Sequence, residues 1–292
     1  MRTHLVTASC IAVFLFCEST VSAQSNTNDA SPTAQPAVDQ SSYEVGPRPF
    51  VRNFLHDEWK IWSSPFRTSS YDTHTMKKYV IPFTIISAAL IASDRKTADI
   101  LPNTKDQTKW SGRVSQLGAG YSLAGAAGAV YLFGQFTDNK HARETGWLSL
   151  EALAHTQLVV FGMKQITNRR RPEKDDSPRG FWNGGDAFPS GHAASSFAVA
   201  SVFAYEYRDH IAVPITAYSL AGLISASRVS ARKHWVSDIF VGGSVGFLIG
   251  RYIYKTHHDP TLPGSPTGRG LRSKLTPEIG YGPYGPSLSW HL

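Results

Sequence analysis

Apolar residues gather in six long segments along the chain. They run roughly from Tyr79 to Ser93, Leu117 to Phe136, Trp147 to Lys164, His192 to Tyr207, Ile211 to Ser225 and Trp235 to Tyr254. Most are rich in Gly, Ala and Ser, as in GAGYSLAGAAGAVYLFG from Gly118 to Gly134. Small residues let helix backbones approach closely where lipid offers no hydrophobic drive for association. The pattern predicts an all-α fold, a tight six-helix bundle over residues 76–257. Several segments fall short of the ~20 residues that a bilayer core demands, and the third carries Glu151, His155 and Gln157. A membrane-embedded bundle is expected, with a secreted soluble bundle as the alternative.

Ahead of the bundle, Phe50, Val51, Phe54, Leu55, Trp59 and Trp62 recur at helical spacing, with Arg52, Asp57, Glu58 and Lys60 between them. This predicts an amphipathic lead-in helix within 48–75, lying on a membrane surface or packed on its own domain. Residues 24–47 are polar and Pro-bearing, too poor in apolar groups to offset ordering entropy, and are expected to be a disordered lead. The first 23 residues carry Arg2, a short apolar run from Leu5 to Cys17 and the small residues Val21, Ser22 and Ala23, which suits a secretory signal peptide. The tail, 258–292, is rich in Pro and Gly, and the alternation of Leu288, Trp290 and Leu292 with Ser289 and His291 allows a short final strand.

Composition narrows the chemistry. Both cysteines, Cys10 and Cys17, fall inside the expected signal peptide, so the processed chain would have no thiol for a disulfide, a Cys-ligated metal or a nucleophile. A formal charge of +7 on 292 residues favours an anionic partner. No nucleic-acid module or basic stripe accompanies it, so phosphate or anionic lipid is expected rather than nucleic acid.

Three clusters carry candidate chemistry: KQITNRRRP with Lys164, Arg171 and Pro172; PSGH from Pro189 to His192; and SRVSARKHWVSD with Ser227, Arg228, His234 and Asp238. Singly, each has a plain alternative: a solvated basic loop, a turn into a helix, a core histidine. Together they fall at helix ends that an up-down bundle brings to one rim. Ser190 and Gly191 open a helix whose free N–H groups make an anion site, and Gly191 lets the anion approach the backbone. Lys164, Arg171 and Arg228 supply fixed positive charge, the arginines in a fork that matches phosphate oxygens. Asp238 follows His234 by four residues, so on a helix the two share a face. The carboxylate can then take the Nδ1 proton and leave Nε2 free as a nucleophile. No Asp-x-Asp or His-Glu-x-x-His pattern stands at this rim to hold a metal, so lysine and arginine are expected to neutralise the phosphate.

Lys164-x6-Arg171-Pro172, then Pro189-Ser190-Gly191-His192, then Ser227-Arg228-x5-His234-x3-Asp238 resembles the tripartite signature of the type 2 phosphatidic-acid phosphatase superfamily. That group also holds class A acid phosphatases and vanadium haloperoxidases. The resemblance implies that His234 attacks phosphorus, that Asp238 orients it, and that His192 protonates the leaving alkoxide and then activates water. It implies that Lys164, Arg171, Arg228, Ser190 and the Gly191 amide hold the phosphoryl oxygens. The expected function is a metal-independent phosphatase of lipid phosphates. A soluble periplasmic acid phosphatase is the alternative, and a vanadate-dependent haloperoxidase, the one reading with a cofactor, stands behind it. The expected location is the bacterial cell envelope, either the inner membrane with a periplasm-facing site or the periplasm, with the oligomeric state left open. Six full spans after a cleaved signal would turn the rim the other way, so one segment, such as Tyr79 to Ser93 with its Pro82, would then not cross.

Overall fold

The computed structural model describes residues 47–67, 72–174, 180–265, 278–282 and 285–289. The expected signal peptide and all but the last residue of the polar lead lie outside the described residues. Eight helices follow one another: α1 (Pro47–Ser63), α2 (Thr73–Ile100), α3 (Lys105–Ser115), α4 (Gly120–Phe136), α5 (Lys140–Thr167), α6 (Gly191–Glu206), α7 (Ala212–Ser230) and α8 (Val236–His257). In the tail, β1 (Glu278–Gly282) pairs antiparallel with β2 (Gly285–Ser289), with Ile279 opposite Leu288.

All six apolar segments are helical, and the lead-in helix is present as α1. The expected six-helix frame needs one addition, the polar helix α3. It docks on the end of α7 by hydrogen bonds: the Gln107 amide donates to the Ser230 carbonyl at 3.1 Å, and Ser111 donates to the Ser230 hydroxyl at 2.8 Å. A helix held by polar contacts carries no apolar stripe for periodicity to find. α2 starts earlier than expected because Asp72 caps it, accepting from the Thr75 N–H at 3.1 Å. Pro82 does not interrupt α2, since a π-helical stretch from Met76 to Val80 absorbs it.

The bundle centres on α6, which packs against α5, α7 and α8. Its residues are small and apolar all round, and Ala193, Ala194, Ala198 and Val202 are fully buried. The closest contact is with α8. A Cβ at Gly242 would lie 2.6 Å from the Ser190 carbonyl oxygen, and one at Gly246 or Gly250 would collide with the carbonyls of Ala194 or Ala198. Glycines four apart on α8 therefore mesh with backbone positions four apart on α6. Hydroxyls inside this frame bond back to their own helices, as Ser201 does to the Phe197 carbonyl and Ser225 to that of Ala221, both at 2.7 Å.

The outside is apolar. Ile85 and Ile86 on α2, Phe133 and Phe136 on α4, Phe161 on α5 and Leu223 on α7 are exposed. Helices α2 and α8 are long and apolar enough to cross a membrane, and α3 with α4, bent by 41°, passes as a third span taken together. The inner face of α1 is mixed: Asp57 and Glu58 are buried along with Ile61, while Val51, Leu55 and Trp59 face outwards. The chain is thus a membrane-associated helical bundle with an apolar outer face and buried polar groups set within an apolar core.

The α6–α8 seam gives a paired test. Gly246→Ala should lower stability by roughly 1–3 kcal/mol, because backbone rather than a flexible side chain is in the way. Gly222→Ala on α7, where a Cβ meets nothing within 4 Å, should be neutral or raise stability by about 0.5–1 kcal/mol through helix propensity. Thermal unfolding in detergent separates the two.

Candidate active site

The last turn of α5, the loop from Asn168 to Ser190, the start of α6, the end of α7 and the start of α8 meet at one rim. Helix α5 ends where Asn168 adopts a left-handed conformation with φ 42°. The returning loop is then zipped onto that end by backbone bonds. Trp182 N–H donates to Thr167 at 2.9 Å, and Ala187 N–H to Arg169 at 2.8 Å. The Thr167 hydroxyl donates to the Phe188 carbonyl at 2.8 Å. Ser190 caps α6, its side chain accepting from the Ala193 N–H, and its own N–H donates to the Asp238 carbonyl at 3.0 Å. PSGH is thereby tied to the start of α8.

His234 does not lie on a helix with Asp238 as expected; it sits in the turn one residue before the N-cap, Trp235. The contact survives in another form. Nδ1 of His234 is 2.8 Å from the Ala187 carbonyl oxygen and 3.4 Å from Asp238 Oδ2. A carbonyl only accepts, so Nδ1 carries the proton and the Nε2 lone pair is free. The main acceptor is therefore the loop backbone, with Asp238 beside it. Asp238 is fully buried, and its Oδ2 also accepts from the Trp235 N–H at 2.8 Å.

Behind Asp238 stands a residue that the motif spacing left unassigned. Arg169 is buried and donates through Nη1 to Asp238 Oδ1 at 2.6 Å and to Ser237 Oγ at 2.7 Å, and through Nη2 to Asp94 Oδ2 at 2.7 Å. Its guanidinium is flanked by the rings of Phe181 at 4.4 Å and Trp235 at 5.3 Å. Asp94 in turn accepts from the Ser237 N–H at 3.1 Å. The arginine run thus splits three ways. Arg169 braces the carboxylate behind His234, Arg170 donates to the Asn183 carbonyl at 2.7 Å, and Arg171 faces the rim.

Arg171 grips Asp186 with both prongs, Nε to Oδ1 at 2.9 Å and Nη2 to Oδ2 at 2.7 Å, while Lys164 Nζ lies 4.0 Å from the same carboxylate. A half-exposed carboxylate therefore occupies the fork that two phosphate oxygens would take. Burial raises the Asp186 pKa, but the Arg171 bonds and charge and the Lys164 charge outweigh it and hold the carboxyl below its ordinary range. Arg228 is buried and donates through Nη1 to Ser115 Oγ of α3 at 3.0 Å, which leaves its Nε without a hydrogen bond. Burial, then the charge of Arg171, lowers its pKa to about 10, still cationic at neutral pH. A Cβ at Gly191 would make only ordinary contacts, 3.6 Å to Val160 and 3.8 Å to Gln157. Packing does not demand glycine there, and open access to the N–H groups of α6 is what its absent side chain provides.

His192 is partly exposed on the first turn of α6. Burial, then the charges of Arg228, His234, Lys164 and Arg171, push its pKa down to about 4. Lys164, Arg171, Arg228 and His234 thus all lie near enough for their charges to act on His192. Burial also lowers the pKa of His234, against the pull of Asp238. In the free protein both imidazoles are therefore neutral at pH 7. A narrow crevice beside His234 is lined by Asp94, Leu101, Pro172, Val229 and Arg232 among others, and none of Lys164, Arg171 and Arg228 lines it.

Residues 145–261 match the model of the PAP2 superfamily, and this stretch contains all three clusters. This stretch is similar to that superfamily, the resemblance that the motif spacing predicted. It is 36% identical over 70 residues to the lipid A 1-phosphatase of Porphyromonas gingivalis, a match that spans 24% of this chain and 16% of that protein. Among solved structures, it is similar to a transmembrane PAP2-type phosphatidylglycerolphosphate phosphatase from Bacillus subtilis, with 25% identity, a TM-score of 0.48, and 60% of this chain and 92% of that one covered. It is also similar to LpxE of Aquifex aeolicus, with 21% identity, a TM-score of 0.44, and 58% and 95% covered.

Arg169 separates bracing from charge. Arg169→Ala leaves Asp94 and Asp238 buried against one another and should destabilise the protein by about 3–5 kcal/mol. Arg169→Lys keeps the charge but loses the fork, so it should fold more stably than the alanine variant while His234 is less well held. Thermal unfolding of the pair checks the first effect, and an NMR titration of the His234 ring in the lysine variant checks the second.

Proposed function

We propose that the chain is a phosphatase that removes phosphate from lipid phosphates through a phosphohistidine on His234. The observation that carries this reading is the locked imidazole. Its Nδ1 is tied to the Ala187 carbonyl and Asp238, and its charge acts on His192 together with those of Lys164, Arg171 and Arg228.

In the proposed reaction the phosphoryl oxygens lie on Lys164, Arg171, Arg228, the Ser190 side chain and the N–H groups at the start of α6, and Asp186 releases the Arg171 fork to admit them. Nε2 of His234 attacks phosphorus in line, forming a P–N bond as the P–O bond to the lipid breaks. His192 passes a proton to the departing oxygen. Water then loses a proton to His192 and attacks phosphorus, the P–N bond breaks, and inorganic phosphate leaves. Lysine and arginine charge stabilises the oxygens throughout. The low pKa of His192 in the free protein fits this role. A bound phosphate offsets the cations that depress it, and the proton is taken up with the substrate.

A lipid substrate is supported by the apolar outer faces of α2, α4, α5 and α7. It is supported too by the name of the P. gingivalis relative, a lipid A phosphatase. These favour a lipid over a small soluble phosphomonoester. The signal peptide expected at 1–23 supports an envelope location, with the rim turned to the periplasm.

Phosphate release should be assayed from short-chain phosphatidate, lipid A and a soluble phosphomonoester in detergent. His234→Ala should lower turnover by at least a thousandfold, while His192→Ala should accumulate acid-labile labelled enzyme; near-normal rates in the first variant would overturn the nucleophile assignment. Because both native cysteines lie within the first 23 residues, Asn183→Cys offers a single thiol at the rim. It should react with a membrane-impermeant reagent from the periplasmic side.

A further inference from the structure

A second polar cluster lies away from the rim, where α1 crosses α5 and the end of α8. It contains the carboxylates of Asp57, Glu58 and Glu151, which are 1%, 6% and 4% exposed, and the fully buried imidazole of His155. His257 closes it from the end of α8. Glu58 is engaged: its Oε1 accepts from His155 Nδ1 at 2.6 Å, and its Oε2 from the Trp62 indole at 3.0 Å. One oxygen of Asp57, Oδ1, accepts from the Tyr252 hydroxyl at 2.7 Å. The remaining atoms are the unusual ones. Asp57 Oδ2, Glu151 Oε1, His155 Nε2 and His257 Nε2 are buried and receive no hydrogen bond. The first three lie within 4.8 Å of one another. His257 Nε2 stands 3.2 Å from Asp57 Oδ2, and its Nδ1 stands 3.7 Å from Glu151 Oε1.

Two features argue for a cation among these atoms. One is charge. Three buried carboxylates face two imidazoles; with all three ionised, even full protonation of both rings would leave a negative charge over, which either a proton or a bound cation must offset. Lys60 acts on His257 from the same helix as Asp57, but it forms no ion pair with these carboxylates among the described residues. The other is orientation. His155 points one nitrogen at a carboxylate and the other at the gap, the arrangement in which a second carboxylate fixes the tautomer and sharpens the metal-facing nitrogen. Asp57 has one oxygen on the Tyr252 hydroxyl at 2.7 Å and turns the other to His257 Nε2 at 3.2 Å, on the side of the gap.

We propose that Asp57, Glu151 and His155, with His257 as fourth donor, bind one divalent transition-metal cation of the zinc type, which staples α1 to the bundle. Two imidazoles and two carboxylates are a borderline donor set that suits zinc better than calcium or magnesium. A tetrahedral ion would hold its ligand atoms ~3.4 Å apart, so the three atoms need only a small contraction. The cluster lies about 13 Å along α5 from Lys164, counting nine residues from His155 at 1.5 Å each. None of its residues belongs to the rim, so the staple is independent of the reaction proposed there.

The test uses the full chain in detergent. Elemental analysis of protein purified with added Zn²⁺ should find about one equivalent in the wild type and in His234→Ala. Stripping with a chelator and restoring Zn²⁺ at a hundredfold excess over Kd should raise Tm by roughly 5–10 °C. Initial phosphatase rates at low temperature should stay unchanged, which separates failure of the staple from failure of the rim. Glu151→Gln and His155→Gln should each lower Zn²⁺ affinity at least a hundredfold. If those variants fold poorly, visible absorption of Co²⁺ bound to the wild type reports a tetrahedral nitrogen–oxygen site without any substitution. Absence of both metal and Tm shift in the wild type would mean a closed ion-pair cluster centred on His257, and the proposal would fail. Metal that survives both variants would belong to Glu144, Glu206 and His258, the other cluster with metal-ligand spacing, and would equally overturn it.

Discussion

The seam between α6 and α8 sets everything at the rim. Three glycines, Gly242, Gly246 and Gly250, press against the backbone of Ser190, Ala194 and Ala198 with no room for a methyl group. A contact made by backbone is more rigid than one made by side chains, because no rotamer can yield. Its rim end is continued by the Ser190 N–H bond to the Asp238 carbonyl at 3.0 Å. The helix start that carries Ser190, Gly191 and His192 is thus fixed in height against the helix start that carries Asp238. Packing far from the chemistry decides where one histidine lies relative to the other.

Charge is the second constraint. Arg169 is matched by Asp94 and Asp238, a buried set with one cation and two carboxylates. In front of His234 the balance runs the other way: among the described residues, Lys164 and Arg171 share the half-exposed Asp186, and Arg228 feels the charges of Glu173 and Asp186 from further off. Positive charge in front and negative charge behind would suit the role proposed for His234, attack on an anion and carriage of a phosphoryl group. The excess in front also explains why His192 loses its proton so readily in the free protein. Asp186 offsets part of that excess from a half-exposed position.

The rim was legible in the sequence because its residues stand at helix ends, where small, rigid or charged residue types are sharply restricted. Gly191 and Ser190 announce a helix start, and Lys164 and Arg171 flank a helix stop. The bracing layer was not legible for three separate reasons. Arg169 is chemically identical to its two neighbours, and only the left-handed Asn168 decides which arginine turns inwards. Asp94 falls one residue past the end of an apolar run and reads as its polar flank. Ser115, which holds Arg228, lies on α3, a helix whose docking by hydrogen bonds leaves no apolar period. His234 taught the opposite lesson: the four-residue spacing to Asp238 brought the pair together, but through a capped turn in which Asp238 closes on the Trp235 N–H, not through a shared helix face.

The lead-in helix α1 shows why amphipathicity alone does not tell inside from outside. Its two faces were readable from spacing, and in water the apolar face would turn inwards. Here Asp57 and Glu58 turn inwards and Val51, Leu55 and Trp59 turn out. Aqueous solvent gives no reason to bury two carboxylates while exposing a leucine and a tryptophan. Two conditions together would favour this arrangement: an apolar medium outside, and the cation proposed between Asp57, Glu151 and His155 inside. The exposed apolar faces of α2, α4, α5 and α7 point to the first condition. The unbonded oxygens and nitrogens facing one another between α1, α5 and α8 point to the second. One helix thus ties the membrane setting of the bundle to the cation that would hold it closed.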